Sequence, residues 1–99
     1  MFARLSSYQG SPVPPDGDIT RSSQEVLRQI QDLPGFRGVY LLVDRASGKS
    51  KSLTLWADGQ AMWDSEGPAA EVRARSAARE GEQVVDVERF EVGFVHLAD

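Results

Sequence analysis

The chain contains no cysteine and no asparagine, and its one histidine, His96, stands near the end of the sequence. Without cysteine there are neither disulfides nor thiolate metal ligands. No His and carboxylate cluster has metal-ligand spacing, so no metal site is expected. A Ser-His-Asp arrangement fits poorly too, because its base would have to come from the tail. Gly35 and Gly38 are too few and wrongly placed for a phosphate-cradling loop. Positive charge is scarce: 11 Lys and Arg stand against 15 Asp and Glu, a net charge of -4 with no basic stripe, which argues against general affinity for nucleic acid. The longest apolar runs, Val39 to Val43 and Val92 to Val95, fall far short of the roughly 20 residues that cross a bilayer. Met1 to Tyr8 lacks the charged, apolar, small order of an export signal. Together these absences lead us to expect a cytoplasmic protein with no nucleic-acid, membrane, metal or cofactor partner.

What is present reads as one folded domain spanning residues 1–99, since 40% hydrophobic and 26% charged residues are ordinary globular values. A domain of this size buries roughly 60 to 70% of its unfolded surface, so its margin is modest and oligomerisation would help.

Phe2 to Tyr8 alternates Phe2, Arg4, Ser6 and Tyr8 with Ala3, Leu5 and Ser7, as a two-faced strand does. Gly10 to Gly17, with three prolines, is an irregular connection. Ile19, Ser23, Val26, Ile30 and Leu33, widened by Leu27, make one helical stripe. Its start is open between Pro15 as first helical residue and Ser22 with Glu25 as a capping box. Leu33-Pro34-Gly35 ends it.

Phe36 to Arg45 is a strand apolar on both faces, and Ala46-Ser47-Gly48 turns it into a second, Lys49 to Ala57. Asp58 is placed to cap a helix holding Ala61, Met62 and Trp63, which Gly67-Pro68 interrupts before a segment running to about Arg79 and closed by Gly81. Val84 to Val95 alternates as a last strand.

The order is β-α-β-β-α-β, the arrangement of ferredoxin-like α+β domains. It predicts a four-stranded antiparallel sheet in spatial order four-one-three-two, with its helices on one face. The other face is left bare, carrying Val39, Leu41 and Val43 as an apolar patch. A second copy packing there by two-fold symmetry would cover it, so a homodimer is expected.

Leu33-Pro34-Gly35-Phe36-Arg37-Gly38-Val39-Tyr40-Leu41-Leu42, then Ser52-Leu53-Thr54-Leu55-Trp56, a helix, and Val87-Glu88-Arg89-Phe90-Glu91-Val92 resemble the antibiotic biosynthesis monooxygenase (ABM) domain superfamily. The resemblance spans nearly the whole chain. The opening Met1-Phe2-Ala3-Arg4-Leu5 is similar to small uncharacterised members from high-GC bacteria. The resemblance implies a dimeric α/β-barrel whose members include cofactor-independent quinone-forming monooxygenases, haem-degrading enzymes and proteins of no known activity. Cofactor-free oxygenation needs an electron-rich phenol or anthrone held dry, deprotonated and stacked so that it can pass an electron to dioxygen. The family commonly uses an asparagine with a tryptophan, and a histidine or arginine on the second helix. Here Ser6 or Ser7 stands where the asparagine would be. Haem degradation lacks its axial histidine.

The candidate ligand-contacting residues are Trp56, Arg4, Trp63, Tyr8, Ser6 and Arg75. Each has a plainer reading. Trp56 can be a core anchor at the strand-helix corner, and Trp63 can be helix packing. Arg75, with Arg73 and Arg79, can face water. Arg4, on a central strand, must be paired or reach a cavity. Glu88 or Asp86 on the last strand is the expected partner, and an anion-reading role is the alternative. The expected ligand is a small aromatic or apolar molecule. A cofactor-independent monooxygenase and a non-catalytic binding or stress-linked scaffold dimer are the two functions in view.

Overall fold

The computed structural model describes residues 1–99. Its elements are β1 (Phe2–Gln9), α1 (Arg21–Ile30), β2 (Phe36–Asp44), β3 (Lys49–Trp56), α2 (Gly59–Asp64), α3 (Glu66–Glu80) and β4 (Gln83–Glu91). The strands form one antiparallel sheet in the order β2-β3-β1-β4, which is the expected order read from its other edge. The chain is thus a ferredoxin-like α+β fold with its second helix in two pieces.

Three boundaries differ from expectation. The first helix starts at neither Pro15 nor Ser22. Thr20 is its N-cap, and the Asp18 carboxylate accepts from the backbone N–H of Thr20 and Arg21, satisfying two orphan donors from outside the helix. Between α2 and α3 the break falls at Ser65, so Gly67 and Pro68 sit inside the first turn of α3. There the missing N–H of proline removes no helical bond. β4 ends at Glu91 because its partner β1 ends at Phe2, and a last bond from Val92 N–H to Met1 O closes the ladder.

Two turns depend on glycine. Gly48, at φ 76°, closes the β2–β3 hairpin, and a Cβ there would collide with the backbone carbonyl of Gly10. Gly35, at φ 79°, lies against Ala61, where a side chain would strike the Ala61 methyl. Gly81, at φ 69°, ends α3 in the left-handed conformation, as expected.

The face assignment of β2 needs correction. Val39, Leu41 and Val43 lie opposite Thr54, Ser52 and Ser50, on the helical side of the sheet. Tyr40 and Leu42 instead share the uncovered side with Leu53, Leu55, Leu5 and Phe90. Because β2 is apolar on both faces, hydropathy could not choose between them. The hairpin register, with Asp44 opposite Lys49, sets the parity, and the irregularity between Phe36 and Gly38 brings Phe36 opposite Trp56.

The buried apolar residues are Ala3, Ile30, Trp56, Met62, Ala69, Val72 and Ala77. Ala3 belongs to the uncovered side, beside Leu55 and Phe90, and the helices' own share, Ile30, Met62, Ala69, Val72 and Ala77, includes two alanines, so the layer between sheet and helices is incompletely filled. No helix is long and apolar enough to cross a membrane.

Candidate functional site

The unfilled space is a cavity of about 260 Å³ between the sheet and helices α1 and α3. Its floor is built by period-two alternation. Arg4, Ser6 and Tyr8 project from β1 toward the helices, next to Thr54, Ser52 and Ser50 on β3. Val39, Leu41 and Val43 of β2 make one wall, and Val26, Leu27 and Ile30 of α1 with Val72 of α3 make the roof. The cavity is therefore hydroxyl-lined below and aliphatic above.

Trp56 is fully buried at one end. Its ring meets Phe36 edge-on at 5.6 Å between centroids, and the Arg4 guanidinium lies 5.4 Å from its centre. Its indole N–H donates to Thr54 Oγ1 at 3.0 Å, so the ring offers a ligand a wall rather than a donor.

Arg4, only 2% exposed, is held by the helix break. Its Nη2 donates to Met62 O at 2.8 Å and to Ser65 Oγ at 2.8 Å, and lies 3.1 Å from Glu66 Oε1. Breaking the helix at Ser65 frees carbonyls at the end of α2 and donors at the start of α3. The cation serves the first and Glu66, in the first turn of α3, suits the second. The expected partners Glu88 and Asp86 are ruled out because they pair with Leu5 and Ser7 on the opposite face.

Glu66 also accepts two bonds from Arg89, at 2.6 and 2.8 Å. The Arg89 fork, then Arg4, pulls its carboxyl down to about 2. The same contact raises Arg89. Burial lowers the Arg4 guanidinium, and Glu66 opposes that shift.

The polar floor is mostly satisfied. Tyr8 Oη and Ser52 Oγ are 3.3 Å apart, and Ser50 Oγ donates to Glu82 Oε2 at 3.1 Å. Ser6 is 3% exposed, yet its hydroxyl bonds to no protein group. Of the six candidate residues, Trp56, Arg4, Tyr8 and Ser6 meet in this cavity. Trp63 and Arg75 do not. Trp63 is 67% exposed on α2, and Arg75 leaves the cavity to donate to Gln29 Oε1 on α1 at 3.0 Å.

The structure adds Arg73, Glu82 and the Ser50, Ser52, Thr54 run. The run was visible as hydroxyls repeating at period two toward Trp56. Arg73 carried no such mark, because three arginines on one helix look alike until the helix is docked.

No family model matches the chain. Two uncharacterized proteins of Mycobacterium tuberculosis are similar: Rv2558, 32% identical over 78% of this chain and 33% of its own length, and Rv2557, 30% identical over 97% and 42%. The chain thus spans less than half the length of the curated relatives it matches.

Solved structures align over nearly the whole chain. SnoaB, a cofactor-independent oxygenase from Streptomyces nogalater, superposes with a TM-score of 0.69 at 12% identity, over 95% of this chain and 94% of SnoaB. An antibiotic biosynthesis monooxygenase superposes with a TM-score of 0.55 at 16% identity, over 93% of this chain and 98% of its own. These identities speak to architecture, and on that ground the chain has the ferredoxin-like α+β fold of the antibiotic biosynthesis monooxygenase proteins.

Proposed function

We propose that two copies associate through the uncovered sheet face, and that each encloses a site for a small aromatic molecule which it oxidises with dioxygen without a cofactor. The observation that carries this is the cavity itself, closed at one end by buried Trp56 and of a volume that suits a small ring system. The reaction turns a ring methylene into a carbonyl, one atom of dioxygen entering the product and the other leaving as water with the two hydrogens. This chain's residues would bind and orient. Trp56 and the β2 aliphatics bound the ring, Tyr8 and Ser6 meet its oxygens, and the aliphatic roof keeps water out while the deprotonated ring gives up an electron. Arg4 acts indirectly, fixing the cavity's end through α2 and α3.

A second reading, a non-catalytic binding dimer, is favoured by the missing asparagine, in whose place the cavity floor offers Ser6. Oxygen uptake with a panel of anthrones and hydroquinones separates the two. Uptake that disappears in Ser6→Leu, whose side chain fills the floor, supports oxidation. No uptake with any compound leaves the binding reading.

A further inference from the structure

We infer that the cavity, read as a ligand site, selects an elongated molecule with an anionic head and a hydrogen-bond-donating tail, such as a ring system bearing a carboxylate at one end and a phenol at the other. This rests on the reading above and adds a polarity to it.

Along α3 the cavity is lined by Arg73 and, seven residues on, by Glu80; Arg4 lies beyond Arg73 toward Glu66, and Glu82 follows Glu80. At the first end the Arg4 guanidinium lies within range of the charges of Arg73 and Arg89, and the carboxylate it shares with Arg89 is Glu66. Arg4 and Arg89 take that carboxylate. Arg73 has no ion pair, is only half-buried, and its charge repels that of Arg4. An incoming anion is what this end lacks.

At the second end Glu82 Oε2 accepts from Ser50, and its other oxygen takes no bond. A donor is welcome there and a second anion is not. Arg73, Ser76 and Glu80 follow one another at three- and four-residue steps along α3, so the charged ends stand roughly 10 Å apart at 1.5 Å per residue. Between them lies Ser6, nearly buried and without a partner, aimed into the space. A polar site built this way recognises oxygens along a molecule. The aliphatic wall and roof require the rest of it to be apolar.

The test uses Trp63→Phe protein, in which Trp56 is the sole tryptophan and its emission reports entry to the cavity. The probes are para-hydroxycinnamate, neutral para-hydroxycinnamyl alcohol and para-methylcinnamate. The acid is expected to bind about tenfold more tightly than the alcohol, the worth of one charge-assisted contact. Arg73→Gln abolishes that preference and leaves the alcohol's affinity unchanged. The methyl compound binds several-fold more weakly than the hydroxy acid, and Glu82→Leu removes the difference. Arg73 forms no ion pair, so Arg73→Gln removes no ionic tie within the fold, and an unaltered melting curve confirms that the fold is intact.

Equal binding of acid and alcohol, or a preference that survives Arg73→Gln, overturns the inference while leaving the cavity a ligand site. If none of the three probes binds, the inference is overturned. Oxygen uptake on an anthrone would still uphold the functional reading on its own.

Discussion

Glu66 serves two arginines from different strands, one nearly buried and one at the surface. Its carboxyl is held at about 2 against an ordinary 4.5, so its contribution to stability is complete above pH 4.5 and is lost as pH falls toward 2. Chemical denaturation between pH 5 and pH 2 should show the midpoint falling across that window, and Glu66→Gln should flatten the fall. An unchanged slope in the variant would assign the acid sensitivity elsewhere. Arg4→Met removes the cation but leaves Glu66 paired with Arg89, so the main loss is the partner of Met62 O and Ser65 Oγ. A cost of about 2 kcal/mol is expected by urea titration, less than for a pair stripped of its only partner. That Arg4 would be buried and paired was legible from its place in the alternation of β1. Its partner was not, because Glu66 is distant in sequence and looked like part of an exposed helix start.

Among the elements, the hairpin between β2 and β3 and the proline-rich segment before α1 form one tied unit. Gly10 N–H donates to Gly48 O at 2.9 Å, Val13 N–H to Arg45 O at 2.8 Å, and Arg45 Nη1 to Pro14 O and Gly17 O at 2.6 and 2.9 Å. Gly48→Ala meets both an unfavourable φ and the Gly10 carbonyl. It should cost about 1 to 3 kcal/mol, read as a lower thermal midpoint. Gly93→Ala, where a methyl meets nothing and φ is ordinary, is the neutral control. Element order and type were legible because Gly and Pro punctuate strongly periodic runs. The start at Thr20 was hidden because the local bonds that Asp18 accepts from Thr20 and Arg21 competed with the signals at Pro15 and Ser22, and the break at Ser65 depends on its contact with Arg4 rather than on local preference. The parity of β2 was hidden by a strand equally apolar on its two sides.

For the whole molecule, the uncovered face is the main consequence of placing all helices on one side. Tyr40, Leu42 and Phe90 are each about half exposed there, and Phe94 and Leu97 beyond β4 are more so. Light scattering at micromolar concentration is expected to give twice the chain mass, and Leu42→Glu to give the single mass with an unchanged circular dichroism spectrum. A single mass for the unsubstituted chain would remove the dimer from the functional proposal. The need for a cover on this face was legible in the sequence; the residues that form it had to be reassigned.

β4 stands at the rim of the sheet, with one row of its backbone donors and acceptors unmatched. Its Asp86, Glu88 and Glu91 crowd negative charge along that rim. A second copy of β4 brought alongside in the same sense would set like charges against each other, so this rim resists parallel pairing with its own copy.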